Sequence, residues 1–316
     1  MNAQAALRLG TRRSPMAMAQ AGLVAAAITE RTGRRTELVG VTTHGDVSGA
    51  QLAQIGGTGV FVSALRDRLL SGEVDIAVHS LKDLPTAQPR GIGLAAVPLR
   101  DDPRDALVAR DGAKLADLPP GARVGTGSPR RAAQLTLLRP DVTCVPIRGN
   151  AGTRLGKVSS GELDGVVLAV AGLARIGRRD DASQIFEPDE MLPAPGQGAL
   201  AVECRACDAE LASLLAVIDD PLTRAAVTAE RAALAALEAG CSAPVGAYAA
   251  GTPECLRMDV AVIAADGSRA LRERGSCAAA GAERLGRGLA ARLLAAGAGR
   301  VIAASSARGS NGKQAW

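Results

Sequence analysis

One pattern occurs twice in the first 200 or so residues of this 316-residue chain. The first copy opens with Leu7-Arg8-Leu9-Gly10-Thr11-Arg12-Arg13-Ser14-Pro15, the second with Arg123-Val124-Gly125-Thr126-Gly127-Ser128-Pro129-Arg130-Arg131. Each is a short apolar strand, a Gly-Thr turn and a Ser-Pro helix start. Serine suits the N-cap and proline the first helical position. Helical stretches are predicted to about Arg31 and about Leu138. A second strand follows in each copy: Leu38–Thr43 ending in His44-Gly45-Asp46, and Thr143–Ile147 ending in Arg148-Gly149-Asn150. A third begins after Ser71-Gly72-Glu73-Val74-Asp75 and after Ser160-Gly161-Glu162-Leu163-Asp164. Three matches in the same order restrict the chain to an architecture with two equivalent units. From the Ser-Pro serine to the Ser-Gly-Glu serine is 57 residues in the first copy and 32 in the second. The excess falls mainly in Val47–Leu70, which reads as an insertion carrying a mobile loop at Gly56–Gly59.

The expected fold class is therefore α/β: two duplicated lobes around a cleft, followed by an α+β domain. Open α/β sheets bind ligands at strand ends. Helix starts offer free N–H groups and a positive dipole end, which suit anions. Arginines flank both helix starts, at 12 and 13 and at 130 and 131, and Arg148 and Arg154 follow. Such a cleft suits a small molecule with several carboxylates or phosphates, which guanidinium binds with paired hydrogen bonds. From Pro221 the texture changes. One long helix is predicted over Thr223–Ala239, stopped by Gly240. Strands follow near Ala243–Ala249, Leu256–Ala264 and Ala270–Gly275, then a helix over Ala282–Ala295. The expected domains are 1–99 with 200–218, 100–199, and 219–316, with a disordered tail from about 305.

Composition excludes several alternatives. Only Phe61, Phe186, Tyr248 and Trp316 are aromatic, too few for a single-strand nucleic-acid stacking platform. A net charge of +5 does not by itself predict DNA binding. Part of the arginine excess is equally well a compositional bias. Met1–Arg13 lacks the apolar core of a secretory signal. No apolar run approaches the roughly 18 residues of a membrane span. A cytoplasmic location is expected, with no nucleic-acid or membrane partner. The six cysteines are expected reduced and mostly buried. One Cys204-x-x-Cys207 pair and two histidines make a poor metal set, so no metal is expected.

Two short segments are candidates for chemistry. His79-Ser80-Leu81-Lys82-Asp83-Leu84-Pro85 follows an apolar strand, which points Asp83 toward the cleft as a proton-transfer or charge-stabilising carboxylate. The plainer reading is a solvated turn. Cys241 follows a helix stop in Glu238-Ala239-Gly240-Cys241. It is either a nucleophile with a stabilised thiolate or a small buried residue. The loop at Thr58 lacks the Gly-Lys-Ser/Thr of a nucleotide-binding P-loop.

Taken in order, Thr11–Pro15, Ala77–Pro85, Asp101-Asp102-Pro103-Arg104-Asp105-Ala106, Val124–Arg131, Ile147–Arg154, Leu168–Leu173, Pro195-Gly196-Gln197-Gly198 and Glu238–Cys241 resemble the porphobilinogen deaminase (hydroxymethylbilane synthase) family. The resemblance runs from about residue 7 to 300. It implies lobes like those of type II periplasmic binding proteins and a monomeric enzyme. It implies a dipyrromethane cofactor held by a thioether to Cys241. The implied reaction joins four porphobilinogen molecules head to tail, with loss of ammonia through a cationic azafulvene, before hydrolysis releases the tetrapyrrole. On the matching positions it implies Asp83 as the catalytic residue, with Asp83, Lys82, Ser128, Arg130 and Arg131 on the cofactor. Arg12, Ser14, Ser80, Thr126, Arg148, Arg154, Arg175 and Gln197 are implied on the substrate. This chain departs from the pattern at Gln54 and Thr58, where members often carry lysine, and at Gly127, where they carry serine. The rival from another class is a non-catalytic, two-lobed protein that binds small anions.

Overall fold

The computed structural model describes residues 5–42, 59–240 and 243–311. The strands along the chain are β1 (Leu7–Arg12), β2 (Thr36–Val41), β3 (Ile76–Ser80), β4 (Ile92–Ala96), β5 (Asp105–Ala109), β6 (Arg123–Thr126), β7 (Thr143–Pro146), β8 (Gly165–Ala169), β9 (Gln184–Ile185), β10 (Leu200–Arg205), β11 (Val245–Gly251), β12 (Leu256–Ile263) and β13 (Ala270–Cys277). The helices are α1 (Pro15–Thr32), α2 (Gly59–Leu70), α3 (Pro129–Leu138), α4 (Ala151–Ser159), α5 (Val170–Arg175), α6 (Ala209–Leu215), α7 (Pro221–Ala236), α8 (Ala282–Ala295) and α9 (Ala298–Asn311). Two compact units result: Met1–Asp101 with Ala199–Arg224, and Asp102–Gly198 with Ala225–Trp316.

The first unit holds a five-stranded sheet in the order β2-β1-β3-β10-β4. The second holds one in the order β7-β6-β8-β5-β9. Three strands are parallel in each, and the next two run against their neighbours. The predicted duplication is thus a duplication of sheet topology. Its sequence marks have physical causes. Ser14 caps α1 through the Ala17 N–H, and Ser128 caps α3 through the Arg131 N–H. Asp75 accepts the Arg8 N–H at 2.9 Å and returns its own N–H to the Arg8 carbonyl. Asp164 does the same with Arg123, at 2.7 Å. The Ser-Gly-Glu glycines, Gly72 and Gly161, both take a left-handed φ, 78° and 76°, which glycine adopts without steric cost. The repeated tripeptide is the turn that returns each crossover helix to its sheet.

That turn corrects one expectation. The described part of the stretch read as an insertion, Gly59–Leu70, is α2, the counterpart of α4. Both helices end in the same Ser-Gly-Glu turn, so α2 belongs to the repeat. The Gly56–Gly59 loop, apart from Gly59, and Gln54 and Thr58 with it, lies outside the described residues.

The second unit also contains the antiparallel sheet β11-β12-β13, with α8 packed on β12 and β13. Gly286 lets α8 approach α7, since a Cβ there would lie 2.0 Å from the Ala229 carbonyl oxygen. Three further expectations are corrected. Gly240 does not stop the long helix: α7 ends at Ala236, and Glu238 takes the left-handed turn at φ 51°. There the Ala239 N–H reaches back to the Leu234 carbonyl and closes the end. The tail expected to be disordered from about 305 is helical to Asn311. Ala298 and Val301 are buried in that helix, which anchors its first turns. Of the described cysteines only Cys204 is buried, while Cys207 and Cys255 are exposed in turns. The described cysteines are free thiols. Among the described residues no single helix is long and apolar enough to cross a membrane.

Candidate functional site

In the first unit the candidate carboxylate sits just beyond β3, in a single 3-10 turn over Leu81–Asp83. Leu81 and Leu84 are buried on either side of it. The Leu81 N–H is tied to the Ala199 carbonyl at 3.0 Å, and the Leu84 N–H closes the turn on the Leu81 carbonyl at 3.1 Å. Two apolar anchors three residues apart leave Asp83 exposed and Lys82 half-buried. Ser80, one residue earlier, accepts a hydrogen bond from Gln20 Nε2 at 2.7 Å. Gln20 lies on α1, the helix that Ser14 caps. Arg12 ends β1 and is half-buried. Beneath this surface, His79 Nε2 lies 3.3 Å from Glu203, which also pairs with Arg66 at 2.6 Å. Burial alone would raise the Glu203 pKa. The adjoining His79 ring and the hydrogen bonds from Arg66 outweigh it and pull the group down to about 2.

In the second unit the candidates gather at the start of α3. Asp105 has no exposed surface. Its Oδ2 lies 2.8 Å from Arg130 Nη1, and its Oδ1 accepts from Arg131 Nε and Nη2 at 3.0 and 2.7 Å. Burial pushes its carboxyl up, but the two guanidiniums hold it well below the ordinary carboxylate range. Arg131 also donates to the Val167 carbonyl, and Arg130 to the Leu192 carbonyl. Both arginines, which the sequence points toward a ligand, are thus largely committed inside the protein, at 3% and 6% exposure. Gln197 is buried as well. Its amide donates to Asp105 at 2.8 Å and to the Pro103 carbonyl at 2.7 Å, and its oxygen faces Arg131 at 3.4 Å.

Arg154 differs from these. Its Nε donates to the Gly149 carbonyl, and its guanidinium comes within 3.9 Å of where a Cβ on Gly127 would be. Among the described residues no carboxylate lies within ion-pair distance of Arg154 or of the exposed Arg148. Burial, and then the charge of Arg131, lower the Arg154 pKa. The opposite charge of a bound anion would favour the charged guanidinium and act against this lowering. Thr126 is buried and accepts the Ser128 N–H at 3.2 Å. Asn150 caps α4 through the Thr153 N–H. Gly127 lets its turn close on the chain at the end of β7, since a Cβ there would lie 2.7 Å from the Ile147 carbonyl oxygen unless the backbone shifted. Arg175 ends α5 and donates to the Gly198 carbonyl at 2.7 Å.

Thus the second unit brings Ser128, Arg130, Arg131, Arg154 and Gln197 together, and in the first Ser80 bonds Gln20 of the helix that Ser14 caps. Cys241 lies outside the described residues. Sequence reasoning missed Asp105, Glu203 and Gln20. Asp105 stood in a quoted motif, but nothing local marks one acidic residue of Asp-Asp-Pro-Arg-Asp as the buried one. Burial raises the Cys204 thiol pKa, which disfavours a thiolate there.

The fold is mixed α/β, with one five-stranded sheet in each unit and a three-stranded antiparallel sheet in the C-terminal part. Residues 7–213 match the family described as porphobilinogen deaminase, dipyromethane cofactor binding domain, and residues 224–295 match the porphobilinogen deaminase C-terminal domain. Porphobilinogen deaminase of Thermobifida fusca is 61% identical over 309 residues, covering 95% of this chain and 97% of that one. Porphobilinogen deaminase 1 of Streptomyces coelicolor is 66% identical over 248 residues, covering 77% and 78%. Among solved structures, the chain is similar to an ancestral cationic amino acid solute binding protein, at 18% identity and a TM-score of 0.43, covering 67% and 87%. The chain belongs to the porphobilinogen deaminase family. It is accordingly a transferase with a dipyrromethane cofactor.

Proposed function

We propose that the chain condenses four porphobilinogen molecules head to tail on a dipyrromethane primer bound to Cys241, losing ammonia each time, and then releases the tetrapyrrole by hydrolysis. The primer, when bound, supplies a reactive pyrrole end and a tether. Each pyrrole of such a chain carries an acetate and a propionate. The donor set at α3 fits those carboxylates, and the observation that carries the reading is Arg154: half-buried, beside Arg131, with no carboxylate partner among the described residues.

Arg130 and Arg131, braced by Asp105, and Ser128 orient the primer. Arg148, Arg154 and Arg175, with Arg12, Ser14, Ser80, Thr126 and Gln197, hold and frame the substrate. Asp83 is the catalytic residue. It stabilises the positive charge that develops on the pyrrole as the aminomethyl group departs, and it assists the proton transfer that restores aromaticity. Lys82, in the same turn as Asp83, joins the residues that hold the primer. Three domains, 1–99 with 200–218, 100–199 and 219–316, divide this work, the last carrying Cys241. The free thiols of the described residues support a reducing, cytoplasmic setting. We further infer a monomer that binds neither nucleic acid nor membrane, testable by light scattering after gel filtration.

The deciding experiment is the intact mass of the denatured protein before and after incubation with porphobilinogen. An excess of two linked pyrroles mapped to Cys241, followed by gains in pyrrole steps, is expected. A chain that never gains pyrrole mass is instead a non-catalytic anion-binding protein.

A further inference from the structure

Glu230 lies within α7 with no exposed surface. A glutamate is almost never so buried unless its charge is satisfied. Its two oxygens serve backbone amides from different segments: Oε2 accepts the Gly196 N–H at 2.6 Å, and Oε1 accepts the Ala249 N–H at 2.8 Å. A carboxylate makes such bonds stronger than a neutral acceptor does. Ala249 belongs to β11, the first strand after Cys241. Gly196 belongs to the loop 192–198, which β11 also meets through the Ala247 N–H on the Pro193 carbonyl at 2.9 Å. The other side of this loop faces the arginine cluster. The Leu192 carbonyl accepts from Arg130 at 2.6 Å, and Gln197 bonds Asp105 and Arg131.

We propose that Glu230 is a positioning residue of the primed enzyme. By fastening the loop 192–198 to β11, it holds Arg130 and Arg131 in register with the strand that leaves the anchoring cysteine. The inference rests on the reading that Cys241 carries the primer and that these arginines orient its carboxylates. A primer of fixed length is productive only when tether and grip are matched, and misplacement by about 1 Å can cost about a hundred-fold in rate. Its bonds to Gly196 and Ala249 act on the backbone of the loop and of β11, so their effect on the arginines passes through the loop.

The test is Glu230→Gln in the full-length protein, which keeps the side chain's size but sets an amide N–H against a backbone N–H. Intact mass after a fixed incubation with porphobilinogen measures the primed fraction. Turnover per primed chain and KM are measured well below the variant's melting temperature. The expected result is a smaller primed fraction and a loss of about ten-fold or more in turnover per primed chain, with KM changed by less than about two-fold. Wild-type priming together with wild-type turnover per primed chain overturns the inference even if the melting temperature drops, because the role is then only structural. Should Glu230→Gln fail to fold, Glu230→Asp keeps the carboxylate but shortens its reach to the two amides, and the same two readouts decide. A wild-type protein that never gains pyrrole mass overturns the functional reading, and the inference with it; a primed wild type beside an unaffected variant overturns the inference alone.

Discussion

Asp105 shows how much one side chain can carry. Its carboxylate is enclosed and shared by two buried guanidiniums. Removing one partner of such a set leaves charge unpaired in a low-dielectric interior, at a cost of about 3–5 kcal/mol. Asp105→Asn is therefore expected to lower stability by that order, read as a shift in the urea midpoint at constant slope; an unchanged midpoint would show the cluster to be energetically idle. Asp83 is the opposite case. It is exposed on a turn pinned by Leu81 and Leu84, so Asp83→Asn should melt with the wild type, keep its primer mass and lose nearly all turnover. Normal turnover would remove Asp83 from the mechanism. The place of Asp83 in a turn after an apolar strand is legible from sequence, and the buried Leu81 and Leu84 that leave it exposed come from the tertiary structure. The burial of Arg130 and Arg131 was not legible, because their acidic partner comes from a strand more than twenty residues away.

Among the elements, the serine-capped helix starts were readable because a cap is a local event: Ser14 and Ser128 bond amides three residues on. Ser128→Ala is expected to cost about 1 kcal/mol, and thermal melts compared with Ser14→Ala would show whether both caps contribute alike. The end of α7 departs from the sequence expectation because Glu238, not the nearest glycine, adopts the left-handed turn. A non-glycine residue there carries a modest strain. Glu238→Gly should therefore stabilise this helix end slightly, and a lower melting temperature would show that the Glu238 side chain contributes more than the strain costs. Helix α9 departs from the sequence expectation because its second half, from Ser305, reads as a polar tail. Its helicity rests on the buried Ala298 and Val301.

At the scale of the whole molecule, each compact unit contains a buried carboxylate whose pKa is held down, Glu203 in one and Asp105 in the other. A depressed folded-state pKa contributes stability at neutral pH, and that stability is lost as pH falls. For Glu203 the window runs from its ordinary value of 4.5 to about 2, worth on the order of 3 kcal/mol. Denaturation midpoints should fall steeply below about pH 4.5. In Glu203→Gln, stability at neutral pH should be lower and the acid limb shallower; an identical acid limb would refute the assignment. The free energy of the acid limb belongs to both units, since neither carboxylate is near the surface.

The sequence by itself determined the duplication, the α/β class, the capped helix starts and the motif set that marks the family. All of these are written in short segments whose meaning depends on neighbours a few residues away. Tertiary structure alone decided which arginines are consumed internally and which lack a carboxylate partner among the described residues. It also decided that Asp105, Glu203 and Glu230 lie in the interior. Burial and ion pairing are properties of groups brought together across tens of residues, and a linear pattern of charges does not record which of them will meet.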